Sequence, residues 1–239
     1  VKNPGEEGEI DQIRRFYDEE YYQGAMSKGL PWHSRRAARL LGDVKGKAVL
    51  DVACGLGEWL DFFHRVGAAR VSGIDLSARA IERCRERMPY GDFHVGAAEI
   101  LPFDDGTFDV VTCMGSLEHF VDKPAALREM LRVARPGARF VLLVPNAGFL
   151  TRRLGLYGGT QQARIKEDVQ SLDAWGELFA SSGLVVTRRL RDLHPLSKSW
   201  ITLGRPVGWP VRALQALALA TWPLAWQYQV YHFCERARP

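Results

Sequence analysis

Short apolar runs alternate along this chain with stretches whose apolar positions recur every three to four residues. The runs read as buried strands and the periodic stretches as amphipathic helices. Residues 49–52 are the first strand candidate. Residues 58–66, with Trp59, Leu60, Phe62, Phe63 and Val66, predict the helix that follows. The pattern then gives a strand over 70–75, a helix over 78–87 ended by Met88-Pro89, and a short strand over 93–96. An acidic turn, Asp104-Asp105-Gly106, introduces a strand over 108–113. A helix over 124–133 and a strand over 139–144 follow, with Val133-Ala134-Arg135-Pro136-Gly137 as the turn between them. Ser171 begins a helix over 172–181, residues 184–190 read as a strand, and 228–234 as the last strand. Strand and helix in alternation predict an α/β fold with a largely parallel sheet covered on both faces.

Both ends are less regular. Residues 1–8 read as flexible, and Ile10, Ile13, Phe16, Tyr17 and Tyr21 predict a short helix over 10–22. Residues 24–32 read as a loop, 33–41 as a helix, and 146–168 as a loop broken by a short helix. Residues 200–226 hold Trp200, Trp209, Trp222 and Trp226, while Arg212 is the only charge between Pro206 and Trp226. A helix over about 211–221 is too short and too bounded by prolines to span a bilayer. This segment covers the core, lines an apolar pocket or lies against a membrane surface, and the pattern leaves the three readings open. No second domain of comparable size and no internal repeat is visible, so residues 1–239 read as one domain.

Composition narrows the function classes. A chain of 239 residues with 46% hydrophobic and 25% charged positions suits a soluble domain with one sizeable core. A net charge of +4 and arginine clusters without an aromatic stacking platform argue against a dedicated nucleic-acid binder. Cys54, Cys84, Cys113 and Cys234 show no paired spacing, and the first residues lack the pattern of a secretory leader. A cytoplasmic protein is expected. His33, His64, His94, His194 and His232 have no metal-ligand spacing, so no metal is expected; His33, where the predicted loop gives way to the helix over 33–41, and His194, in a predicted loop, are within reach of a substrate.

The chemistry centres on Val49-Leu50-Asp51-Val52-Ala53-Cys54-Gly55-Leu56-Gly57-Glu58, where an apolar strand meets an acid and then a glycine turn. Glycines let a ligand approach the backbone closely. Asp75 ends the second strand, 24 residues after Asp51, where a carboxylate accepts hydrogen bonds from ribose hydroxyls. That feature fits a nicotinamide dinucleotide as well as S-adenosylmethionine. The acid at the first strand's end separates them: it repels a pyrophosphate and welcomes the ammonium and sulfonium of S-adenosylmethionine.

Over roughly residues 45–145 the chain resembles the ubiquinone/menaquinone-biosynthesis-like group of class I S-adenosylmethionine-dependent methyltransferases. The resemblance rests on Asp51 to Gly57, Gly73-Ile74-Asp75-Leu76-Ser77, Gly96-Ala97-Ala98-Glu99-Ile100-Leu101-Pro102-Phe103, Phe108 to Cys113, and Val133 to Gly137. It implies a Rossmann-like sheet of seven strands, mainly parallel, with the last strand antiparallel. It implies S-adenosylmethionine as cofactor and S-adenosylhomocysteine as product. Asp51, Ala53, Gly55 and Gly57 would meet the methionyl end, Asp75 and Leu76 the ribose, Ala98 and Glu99 the adenine, with Met114 at the end of the fourth strand. Two positions depart from the group: Ala53 replaces the first glycine, and Ala97 stands where many relatives carry an aspartate.

The same resemblance divides the chain into an N-terminal helical lid over 1–45, a cofactor-binding core over 45–145, and an apolar insertion over 192–227 before the last strand. After the fourth strand comes Met114-Gly115-Ser116-Leu117-Glu118-His119-Phe120. His119 is the candidate base for a hydroxyl acceptor, or else a structural or positioning residue, and Glu118 its orienter or an acceptor-binding group. Neighbouring residues on a helix do not share a face, which limits direct cooperation between the two. Tyr21, Tyr22, Trp32 and Trp200 are the candidate acceptor-binding residues. The expected activity is methylation of a small molecule, on oxygen rather than nitrogen or carbon. A membrane-bound lipid or quinone precursor as acceptor, with peripheral membrane contact, is the first alternative. A cofactor-binding protein without catalysis is the second.

Overall fold

The computed structural model describes residues 4–153, 167–202 and 206–237. Its centre is a seven-stranded sheet of β1 (Ala48–Val52), β2 (Arg70–Asp75), β3 (Asp92–Val95), β4 (Phe108–Met114), β5 (Ala134–Pro145), β6 (Leu184–Arg191) and β7 (Gln229–Arg236). The strand order is β3-β2-β1-β4-β5-β7-β6. The first five strands pair in parallel, and β7 inserts antiparallel between β5 and β6. The expected mainly parallel sheet with an antiparallel last strand is therefore what the chain forms. Strand order reverses at β1, between β2 and β4, so their carboxyl ends open a crevice suited to a ligand.

Alternation along each strand divides the core. Leu50 and Val52 face one layer with Phe108, Phe140, Trp175 and Phe179. Val49 faces the other with Leu60, Phe63, Val71 and Ile81. Both faces are buried, which is why the strands read as continuous apolar runs. Trp175 and Phe63 are fully enclosed, and truncating either to alanine should cost about 3–5 kcal/mol.

The covering helices start where capping residues place them. The Ser77 hydroxyl accepts the Ala80 amide at the head of α4 (Ala78–Arg87). Asp122 accepts from Ala125 in α5 (Lys123–Val133), and Ser171 from Ala174 in α7 (Leu172–Ser181). Each cap satisfies an amide that has no partner within its own helix. The remaining helices are α1 (Pro4–Arg15), α2 (Trp32–Leu40), α3 (Glu58–Arg65), α6 (Leu150–Arg153), α8 (Lys198–Ile201) and α9 (Trp209–Thr221).

Two local expectations are corrected. The N-terminal helix begins at Pro4, ahead of the expected flexible stretch's end, and widens into a π-turn over Phe16–Tyr21. The pairing of β5 begins at Ala134, so the expected turn at 133–137 is an irregularity inside the strand. Pairing shifts between Phe108/Ala134 and Val110/Arg139, and Gly137 there has φ +79°. The loop over 146–168 does carry a short helix, α6; its residues 154–166 lie outside the described ones.

The tryptophan-rich segment folds onto the sheet through few contacts. Ala216 and Leu219 of α9 are buried, and the Asn146 side-chain amide donates to the carbonyls of Ala225 (2.9 Å) and Gln227 (3.0 Å). Val211, Leu214 and Leu217 of α9 stay exposed, with Val207 just before it. Among the described residues no helix is long and apolar enough to cross a membrane.

Candidate active site

The crevice at the carboxyl ends of β1, β2 and β4 is built around the turn that follows β1. Three residues of that turn take left-handed backbone angles: Ala53 (φ +57°), Gly55 (+51°) and Gly57 (+68°). Glycine adopts this region freely, whereas alanine is strained there by about 1–2 kcal/mol. Ala53, the departure from the family pattern, is the only non-glycine residue with positive φ among the described residues. Gly57 also starts α3, and a Cβ there would meet Met88 Cε at 2.5 Å.

The turn is bonded to the end of β2. The Gly55 amide donates to Asp75 Oδ2 (2.8 Å), and the Ser77 amide donates to Asp75 Oδ1 (2.9 Å). Asp51 pairs with Gly73 on one side and with Thr112 on the other. The Thr112 hydroxyl donates to Asp51 Oδ1 at 2.6 Å. Burial pushes the Asp51 carboxyl up to about 8, with the charge of Asp75 adding and the Thr112 hydrogen bond opposing. Burial also pushes Asp75 up to about 6, against the pull of the Ser77 and Gly55 amides. The two buried acids feel each other's charge, and among the described residues no lysine or arginine lines the spaces they border.

The N-terminal segment closes over this turn. Ser77 Oγ donates to Asp18 Oδ1 (2.5 Å) and the Arg79 amide donates to the same oxygen (3.2 Å). Glu58 Oε1 accepts from the Ser27 hydroxyl (3.1 Å) and the Lys28 amide (3.0 Å). Tyr17 and Tyr22 stack at 5.9 Å between these anchors, and a Cβ on Gly55 would lie 2.6 Å from the Tyr22 hydroxyl.

The stacked tyrosines border two connected chambers. One, of about 50 Å³, is lined by Ile10, Ile13, Ile74, Asp75, Leu76 and Ala98, with Glu99 and His119. The second, of about 460 Å³, is lined by Asp51, Gly55, Glu58, Tyr21 and Met114. Ala53, Tyr17, Tyr22 and Ser116 touch both. A third space of about 440 Å³ meets the second at Tyr21, Met114 and Gly115, and His33, Asp192 and Tyr231 also line it.

The expected site residues divide accordingly. Asp51, Ala53, Gly55, Asp75, Leu76, Ala98, Glu99 and Met114 all border the two chambers, together with Tyr21 and Tyr22. Gly57 shapes the backbone instead of lining the space. Glu99 Oε1 accepts the amides of Val121 (3.1 Å) and Asp122 (3.3 Å), so part of its carboxylate holds the chain beyond β4. His119 sits beside Glu99 in the smaller chamber, apart from Met114 and Gly115. Glu118 is buried without lining any of the three spaces, and among the described residues its Oε2 has no hydrogen-bond partner. Burial raises it to about 8, helped by Glu167. Trp32 is half-exposed and meets His33 edge-on at 5.8 Å. Trp200 lines none of the three spaces: it lies under the Arg212 guanidinium at 4.2 Å, and its carbonyl accepts from Arg212 Nε. The structure brings in Ile10 and Ile13, whose spacing marked a helix face, and Asp192, which no motif marked.

Residues 50–142 match the model of a methyltransferase domain family. That span carries the turn, both acids and the strands that hold them. That span resembles a class I methyltransferase domain. The chain is 33% identical to a demethylmenaquinone methyltransferase from Thermotoga maritima over 61% of this chain and 65% of that protein. It is 35% identical to the O-methyltransferase cnsE of Penicillium expansum over 46% of this chain and 42% of that one. The chain spans about half the length of the curated relatives it matches. The fold of the methyltransferase domain extends further. A geranyl diphosphate C-methyltransferase from Streptomyces coelicolor superposes with a TM-score of 0.66 at 18% identity, covering 95% of this chain and 97% of that one.

The site suits S-adenosylmethionine on its own chemistry. Its ammonium and sulfonium supply the positive charge that Asp51 and Asp75 lack, and the apolar walls Ile74, Leu76 and Ala98 suit a purine ring. A pyrophosphate would face two buried acids at the same place.

Proposed function

We propose that the protein transfers a methyl group from S-adenosylmethionine to a small hydroxylated acceptor. The observation that carries this reading is the pair of buried carboxylates, Asp51 and Asp75, meeting at a left-handed turn. When bound, S-adenosylmethionine supplies an electrophilic methyl group on a sulfonium. Asp75 would take the ribose hydroxyls, Asp51 and the backbone at Ala53 to Gly57 the charged methionyl end, and Ile74, Leu76, Ala98 and Glu99 the adenine. Tyr17 and Tyr22, held down by Asp18, would exclude water once the cofactor is in place; this is the lid role for residues 1–45.

His119 in the smaller chamber is better placed to hold the adenosine side than to take a proton beside Met114. Glu118, buried behind it, would fix the chain after β4. The acceptor would enter from the space that meets the cleft at Met114 and Gly115, with Tyr21 at its edge. Oxygen as the methylated atom is favoured by the histidine-bearing wall of that space. Relatives named as a demethylmenaquinone methyltransferase and an O-methyltransferase support the reading. Thermal-shift measurement with S-adenosylmethionine, S-adenosylhomocysteine and NAD tests the reading. Stabilisation by the first two alone supports it, and stabilisation by NAD alone overturns it.

A second reading, an acceptor held in a membrane, is favoured by the exposed Val207, Val211, Leu214 and Leu217, with no acidic residue between Pro206 and Trp226. Such a face suits a bilayer interface. Vesicles with anionic lipid should pellet the protein, and Leu214→Glu with Leu217→Glu should leave it in the supernatant. Failure of the unaltered protein to pellet removes this reading. Binding of S-adenosylmethionine without turnover on either soluble or vesicle-borne acceptors would point instead to a non-catalytic binding protein.

A further inference from the structure

The space beyond Met114 carries a buried pair that the methyltransferase motifs do not include. His33 of α2 and Asp192, just after β6, come from opposite ends of the chain. Their side chains are only 7% and 10% exposed, and His33 Nδ1 lies 3.3 Å from Asp192 Oδ1. Asp192 is itself fixed, its Oδ1 accepting the His194 amide at 3.0 Å and its own amide donating to the Gln229 carbonyl at 3.3 Å. The Ser34 hydroxyl lies 3.3 Å from the same ring nitrogen of His33. Both interactions fall on Nδ1. Among the described residues nothing hydrogen-bonds Nε2, and it is not among the buried polar atoms left without a partner. Nε2 therefore faces the open space.

The charge of Asp192 at 3.3 Å favours the tautomer with the proton on Nδ1, which then donates to the Ser34 hydroxyl oxygen and leaves Nε2 basic. We propose that His33, oriented by Asp192, is the general base of an acceptor site for a phenolic or enolic hydroxyl. The chemical class follows from matching acidities. An imidazole removes a proton usefully only from a group within a few pH units of itself, which includes phenols and excludes simple alcohols. The walls suit a flat ring: Tyr21, Tyr231 and Leu143 face the space, and Met114 and Gly115 form its junction with the cleft.

In the reaction the acceptor O–H bond breaks and its proton passes to Nε2, leaving the electron pair on oxygen. The oxygen bonds to the methyl carbon as the carbon–sulfur bond of the sulfonium donor breaks and that pair returns to sulfur. The imidazolium then gives its proton to water. The inference rests on the neighbouring chamber being the donor's site.

The probe is 4-nitrophenol, whose phenolate has its own visible absorption band. It is titrated into the protein with and without S-adenosylhomocysteine, while calorimetry follows S-adenosylhomocysteine binding separately. Bound to the unaltered protein below its free titration range, the probe should show the phenolate band. His33→Gln should abolish that band, and Asp192→Asn should weaken it, while both variants retain S-adenosylhomocysteine binding. Methylation of the probe should fall about 100-fold in His33→Gln. The other groups facing the ring, Ser34, His194 and Tyr231, stay unchanged in both variants. Absence of probe binding, or an undiminished phenolate band in folded His33→Gln, overturns the proposal. If His33→Gln fails to fold by circular dichroism, Asp192→Asn decides by the same band. Loss of S-adenosylhomocysteine binding in the unaltered protein, with the phenolate band intact, would instead count against the donor site.

Discussion

The amide of Gly55 donates to Asp75 Oδ2 at 2.8 Å, joining the turn after β1 to the end of β2. The same glycine lies beneath Tyr22, whose hydroxyl would stand 2.6 Å from a Cβ placed there. One residue thus connects the acid, the turn and the segment that covers them. Gly55→Ala should cost about 1–2 kcal/mol from its left-handed backbone, plus a contact penalty with Tyr22. Urea denaturation of Gly55→Ala, Tyr22→Phe and the pair should show Tyr22→Phe recovering the contact part only. Strict additivity would mean Tyr22 does not rest on the turn.

Ala53 makes the opposite prediction. Its φ of +57° is strained for any residue with a Cβ. Ala53→Gly should stabilise the ligand-free protein by about 0.5–1 kcal/mol, the strain relieved less the extra freedom glycine gains on unfolding. A lowered melting temperature would show that the alanine side chain makes contacts worth more than its strain.

The raised acids set a pH dependence. Asp51 and Asp75 sit at about 8 and about 6 in the folded chain, against an ordinary value of 3.8. The folded state therefore holds protons that the unfolded chain has released. The stability these groups contribute is present below pH 3.8 and is lost as pH rises through about 6 and then about 8. A cationic ligand favours the ionised acids. S-adenosylmethionine should therefore bind more tightly as pH rises over that range and release protons, visible as a buffer-dependent heat. Asp51→Asn should raise the melting temperature of the ligand-free protein near pH 8 and weaken S-adenosylmethionine by about tenfold or more. Heats identical in all buffers would contradict the linkage.

Asp18 is the anchor of the covering segment, accepting from Ser77 Oγ and from the Arg79 amide at the head of α4. A carboxylate at a helix N-terminus is also favoured by the helix dipole. Asp18→Ala should speed hydrogen exchange over residues 9–22 and weaken the cofactor several-fold through faster dissociation. Unchanged exchange would place the hold elsewhere, at Glu58 with Ser27 and Lys28.

The sheet and its ligand-binding edge were legible in the sequence because local signals coincide there. An apolar run, an acid and two glycines occupy ten consecutive residues, and Asp75 follows at the end of the next strand. The helix start marked by Ser171 was equally local. The start of α1 was not legible, since Gly5-Glu6-Glu7-Gly8 has no apolar period. Asp192 could not be paired with His33 because the pair exists only after β6 returns beside β7 and α2 packs nearby. Trp200 carried a composition signal but no direction, and its ring lies under the Arg212 guanidinium, a contact no local pattern marks. His119 had the right chemistry, yet the short turn Leu117–His119 carries it to the smaller chamber.

The most direct test of the cofactor site is calorimetric titration of S-adenosylmethionine and of NAD into the unaltered protein and into Asp75→Ala. The account predicts binding of S-adenosylmethionine alone, weakened about 100-fold or more by a substitution that removes the charge and frees the Gly55 and Ser77 amides. Binding of NAD in its place, or S-adenosylmethionine affinity indifferent to Asp75, would contradict it.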